Sequence, residues 1–139
     1  MSETITLSTL GPHSPEYTAE VANAMAECVR VLNYATGSSA EAGIAYPATA
    51  YQVLGALYTS TGRLPQLLSQ LSGWLERAAE AGRLAEDRHG DVIAAVATAQ
   101  EALVFANGKI ASVTSALEAA QAAVSGLSLA ERGEGEVRS

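Results

Sequence analysis

The sequence predicts an all-α protein: an antiparallel helical bundle of about four helices, with a long heptad-patterned helix at its C-terminal end. Three observations carry this. Alanine supplies 28 of the 139 residues, and it is the best helix former and a poor strand former. Apolar residues recur at spacings of three and four in each long segment, the period of a helix with one buried side. The last third of the chain also holds a single 3.5-residue phase, the seam of left-handed helix packing. With 48% hydrophobic and only 17% charged residues, the composition excludes global disorder. The length fits one domain that buries roughly two-thirds of its unfolded surface. The expected division is an N-terminal arm at 1–13, one helical bundle domain at 14–129, and a disordered tail at 130–139.

The arm contains Thr4-Ile5-Thr6-Leu7-Ser8, which alternates with period two but has no partner strand, so it is expected to lie extended on its own domain or on a second subunit. Ser14-Pro15-Glu16 then opens helix one: serine accepts from free amides, proline is pre-set for the first helical position, and glutamate complements the dipole. Val21, Met25, Cys28 and Leu32 form its apolar stripe, and Thr36-Gly37 ends it near Tyr34. Cys28 is the only cysteine; beside Glu27 it reads as a small buried apolar residue rather than a reactive thiol.

Helix two is expected from Pro47 to just before Gly62, and helix three from Pro65 to just before Gly82, since Gly62 and Pro65 are a stop and a start signal. In helix two, Ala50, Val53, Leu54 and Leu57 share one side. Tyr51, Gly55 and Tyr58 share another, with Gly55 leaving a gap between the rings. In helix three, Leu64, Leu67, Leu68, Leu71, Leu75 and Ala78 form the core stripe, flanked by Trp74. Between Ala42 and Leu75 the only charged residue is Arg63, an under-charged surface of the kind that meets another chain.

Asp91 caps the last helix. From there Val92, Val96, Ala99, Leu103, Ala106, Ile110, Val113, Leu117, Ala120, Val124 and Leu127 step by four and three through five heptads. Asn107-Gly108 interrupts the composition but not the phase, so one helix of roughly 55 Å is expected, at about 1.5 Å per residue. Ala95, Ala102, Lys109, Ala116 and Ala123 make a column of small residues along which tight antiparallel packing is expected. The opposite flank, Ile93, Gln100, Asn107, Thr114 and Gln121, is suited to hydrogen bonding along an interface. Helix three is less than half as long as this helix, so several helices or a second copy are expected to share the seam.

Function is bounded mainly by exclusion. A net charge of −7, with one lysine and seven scattered arginines, leaves no basic stripe for direct nucleic-acid binding. No segment is apolar for long enough to span a bilayer. The first residues carry no basic region or apolar core of a secretory leader, so a cytoplasmic setting is expected. Glu86, Asp87, His89 and Asp91 cluster in one loop, but no second histidine or cysteine has matching spacing and Asp91 is already a helix cap, so no metal site is assigned. There is no nucleophile elbow, phosphate loop or dinucleotide fingerprint. No catalytic residue, no cofactor and no enzymatic activity are expected.

The stretch Tyr51-Gln-Val-Leu-Gly-Ala-Leu, through Gly62-Arg-Leu-Pro-Gln-Leu-Leu to Trp74-Leu-Glu-Arg, followed by an acidic loop and an alanine-rich helix, resembles small alanine-rich helical proteins of Streptomyces and related actinomycetes over about residues 46–127. The scarcity of lysine beside abundant alanine and arginine suits such a high-GC genome. The resemblance implies a cytoplasmic setting and assigns no activity and no residue roles. The W-x-G turn of small secreted helical hairpins is absent, because the chain reads Ser72-Gly73-Trp74.

The expected function is therefore non-enzymatic protein–protein interaction, by an oligomeric scaffold, adaptor or regulatory partner with a low-charge helical surface. Its partners would be a second copy of itself and another protein. Tyr51, Tyr58, Trp74, Leu103, Ile110 and Leu117 are the expected contact residues, since aromatic and large apolar anchors dominate interfaces. The alternative is a ligand-binding or catalytic bundle with a pocket between helices two and three, lined by Tyr51, Tyr58 and Trp74.

Overall fold

The computed structural model describes residues 4–37, 43–88 and 90–131. Among them are three helices and no strand: α1 (Pro15–Ala35), α2 (Pro47–Glu80) and α3 (Val92–Val124). The all-α expectation holds, with three helices in place of four. Contacts divide the chain into two compact units, Met1–Ala45 and Tyr46–Ser139.

In the first unit α1 begins as the sequence dictates. The Ser14 hydroxyl accepts from the Tyr17 amide at 3.0 Å, and Pro15 occupies the first helical turn. The preceding segment is irregular rather than a strand, and Tyr17 ties it to α1: its hydroxyl donates to the Thr6 carbonyl at 2.6 Å and accepts from the Ser8 amide at 3.1 Å. His13 stacks on the same ring with centroids 5.6 Å apart. Tyr17, Val21 and Ala24, spaced four and three apart on one side of the helix, are half-buried. Met25, Cys28 and Leu32 are exposed, so Cys28 is not the buried residue its neighbours suggested. One helix with an arm across one side has no second layer to enclose it.

The second unit departs most from expectation. The two helices expected at 47–62 and 65–82 are one helix of 34 residues, with Pro65 in its interior. An interior proline removes one backbone donor and crowds the preceding turn, at a cost of roughly 3 kcal/mol. Here α3 brings polar groups to that point. The Thr114 hydroxyl donates to the Thr61 hydroxyl at 3.0 Å, which donates to the Tyr58 carbonyl at 3.1 Å, and the Asn107 amide reaches the Pro65 carbonyl at 3.4 Å. Gly62 stands in open space with no positive φ, so it need not end the helix. Packing along the full length of α3 outweighs both local breakers.

At its C-terminal end α2 closes on Gly82, whose φ is +70°. The Gly82 amide donates to the Ala79 carbonyl and the Arg83 amide to the Ala78 carbonyl, the Schellman pattern that satisfies the last free carbonyls. Asp91 caps α3 by accepting from the Ile93 amide at 2.9 Å. As expected, α3 passes through Asn107-Gly108 unbroken, but it stops at Val124, leaving Leu127 beyond its end and exposed. With 34 and 33 residues, the two helices are each about 50 Å long. A single partner therefore runs the whole seam, and the length mismatch that called for several helices does not exist.

Candidate interaction surface

Four side chains set the register of the α2–α3 hairpin. Gln100 donates to the Ser72 carbonyl (3.4 Å), Asn107 to the Pro65 carbonyl and the Ser69 hydroxyl (3.4 Å each), Thr114 to the Thr61 hydroxyl (3.0 Å) and Gln121 to the Tyr51 carbonyl (3.5 Å). These residues rise by sevens along α3 while their partners descend along α2, so the helices are antiparallel. Gly55 serves the last contact: a Cβ there would stand 2.5 Å from the Gln121 amide nitrogen. The gap between Tyr51 and Tyr58 thus receives a glutamine from α3.

Of the flank suited to hydrogen bonding, Gln100, Asn107, Thr114 and Gln121 close against α2, while Ile93 at its start is 75% exposed. The alanine column does not close: Ala95, Ala102, Lys109, Ala116 and Ala123 are all exposed, which corrects the expectation of tight packing there. The physical reason is chain-specific. Amides and hydroxyls on α3 find carbonyls and hydroxyls on α2 on one side only, and those bonds rotate the small column away from the seam.

Opposite the hydrogen-bonded flank, each helix presents an apolar column. On α2 it is Leu64, Leu67, Leu71, Trp74 and Ala78, spaced three, four, three and four. Ala78 is the fully buried residue among those described, whereas Leu67, Leu71 and Trp74 are 44%, 50% and 46% exposed. On α3 the alanine column is joined by Phe105, 67% exposed, and Val113. Lys109 is the one charged residue in these columns, and its ammonium sits 5.2 Å from the Phe105 ring centroid. At one end the Arg83 guanidinium lies 5.7 Å from the Trp74 ring centroid. One side of the hairpin therefore carries exposed apolar side chains, over about 20 Å of α2 between Leu64 and Ala78, and the other is a closed polar seam.

The expected contact residues fall into three places. Leu103, Ile110 and Leu117 are half-buried, each three or four residues from the hydrogen-bonded side chains and so on the α2 side of α3. Tyr51 and Tyr58 lie by the polar seam; hydrogen bonding and negative charge from Glu118 hold the Tyr58 hydroxyl above the ordinary phenol range. Trp74 is on the apolar flank, and the 16 positions from Tyr58 to Trp74 along one helix amount to about 24 Å. The structure does not bring the three rings together, and no cleft separates the two halves of one helix.

Leu67 and Leu71 were grouped with the core and instead stand exposed, while Phe105 had no role in the sequence reading. The signal was present as excess width: Leu64, Leu68 and Leu75 already cover one partner helix, which leaves Leu67, Leu71 and Trp74 beside them exposed, while Ala78 is buried. In the loop, Glu86 accepts from the Arg88 amide at 2.9 Å and its guanidinium nitrogen at 3.3 Å, which together lower its pKa. This carboxylate latches the loop. His89 lies outside the described residues, among which no group of side chains is arranged to hold a metal ion. Likewise no described helix is long and apolar enough to cross a membrane.

Compared with known proteins, the chain matches no family model, no curated protein and no solved structure.

Proposed function

We propose that this chain is a protein–protein interaction module, a small oligomeric scaffold or regulatory partner, acting through the apolar flank of the α2–α3 hairpin. The observation that carries this reading is the run of Leu67, Leu71, Trp74, Phe105 and Val113, each between 44% and 67% exposed, in columns whose one charged member is Lys109. Exposed apolar patches of this extent mark contact surfaces in soluble proteins, and a large aromatic among leucines is the usual composition of an interface anchor. The opposite flank spends its polar groups on holding the hairpin together. The module needs no cofactor in this reading.

The test is affinity capture of cross-linked complexes with the wild-type chain and with Leu71→Glu and Trp74→Glu, both at exposed positions. The reading expects wild type to retain a specific protein, a second copy included, and both variants to lose it while keeping their helical circular dichroism. Retention by all three forms would overturn it.

A further inference from the structure

The apolar flank also indicates what covers it, and the inference drawn rests on the interaction reading above. We infer that the flank is a self-complementary surface and that its occupant is a second copy of this chain, the two hairpins forming an antiparallel four-helix arrangement with a two-fold axis running along the helices.

Size comes first. Two helices side by side, each about 10 Å across and 50 Å long, present about 1,000 Å² on one side. A stable interface needs about 800 Å² from each partner. A full side of the hairpin, the apolar columns together with the small residues that extend them, reaches that area.

Shape comes second. The α2 column is a ridge of large side chains, with Leu67, Leu71 and Trp74 exposed. The α3 column beside it is shallower, with the small residues Ala95, Ala102 and Ala116 exposed and Lys109 and Phe105 standing out between them. A two-fold axis along the helices lays each ridge over the shallower column of the other copy, the ridge-into-groove match that favours close helix packing, with one patch serving both sides. The same axis keeps heights unchanged. Gln100 bonds to the Ser72 carbonyl, which sets Leu71 level with Ala102, so Leu71 meets Ala102 of the partner subunit. All neighbouring helices are then antiparallel.

Charge comes third. The chain carries −7 overall, so copies approaching at random repel, yet these columns hold no carboxylate. The charges beside them are Lys109, Arg83 at Trp74 and Arg63 one turn before Leu67, with no carboxylate in the columns to hold a basic partner. An uncharged, apolar surface of matching relief is the better fit, and this chain contains one.

Two measurements on the full chain test this. Light scattering on a sizing column should give twice 14.3 kDa for wild type, and the single-chain mass for Leu71→Glu and Ala102→Glu. In a Cys28→Ser background, Leu71→Cys and Ala102→Cys chains carrying different tags are coexpressed and oxidised. The expected product is the mixed disulfide between them. Predominant like-to-like Leu71→Cys dimers would overturn the axis, since they require α2 stacked on α2. A wild-type chain that stays at the single-chain mass would overturn self-pairing. In that case, loss of another captured protein on Leu71→Glu leaves the interaction reading standing, and unchanged capture removes both.

Discussion

Replacing Pro65 by alanine raises the stability of the protein if α2 is one helix, and that outcome separates the observed fold from the one the sequence suggests. Alanine is favoured over an interior proline by roughly 3 kcal/mol. Pro65 is half-buried, so trimming two ring carbons forfeits roughly 0.8 kcal/mol of apolar burial. The net gain is about 2 kcal/mol. Gly62→Ala adds about 1 kcal/mol, because a Cβ there meets nothing within 4 Å and the backbone has no positive φ. For a unit of under 100 residues, 1 kcal/mol moves the thermal midpoint by roughly 4–8 °C. Thermal unfolding followed at 222 nm should therefore rise by about 10 °C for Pro65→Ala and about 5 °C for Gly62→Ala. A break at this place would invert the signs: Gly62 would sit in the left-handed region at a helix end, and Pro65 at its favoured first position. A fall in either midpoint refutes the continuous helix.

Gly55→Ala should change stability by no more than about 0.5 kcal/mol, since the helix gain of about 1 kcal/mol offsets a displaced Gln121 and its long bond; a urea titration checks it, and a loss above about 1 kcal/mol would mean Gln121 cannot move aside. Gly82→Ala forces a side chain onto a φ of +70° and should cost roughly 1 kcal/mol in the same titration. Absorbance at 295 nm should show Tyr58 ionising above the ordinary phenol range, and Glu118→Gln should bring it down. Because the folded pKa is the higher one, the contribution of this group is complete below the unfolded value and is lost as pH rises through the folded one. A Tyr58 titration unaffected by Glu118→Gln contradicts that cause.

Much of the architecture was legible because local chemistry and tertiary packing agreed. Ser14-Pro15 and Asp91 open helices where their side chains can accept free amides, and the constant heptad phase carried α3 across Asn107-Gly108. Gly62 and Pro65 misled because their meaning depends on what lies opposite. The same glycine and proline end a helix in isolation and sit inside one when Thr114 and Asn107 meet them across the seam. The choice of flank was hidden for a related reason. Alanines permit close approach, but Gln100, Asn107, Thr114 and Gln121, seven residues apart on α3, compel it by finding acceptors along α2, and no one-chain periodicity says which wins. Trp74 is expected as an anchor from its type and setting and lies on the exposed flank, whereas Leu67 and Leu71 fall in a core stripe wider than one partner helix can cover.

Trp74 is the only tryptophan and lies within the proposed contact, one turn from Leu71, so its fluorescence reports the central claim directly. Emission and acrylamide quenching are measured as the protein is concentrated through the range in which its mass doubles. The account predicts a solvent-like, strongly quenched signal in dilute protein, where Trp74 is 46% exposed, shifting to shorter wavelength and weaker quenching as the flank is covered. A signal that stays solvent-like while the mass doubles would place the contact elsewhere and contradict the account.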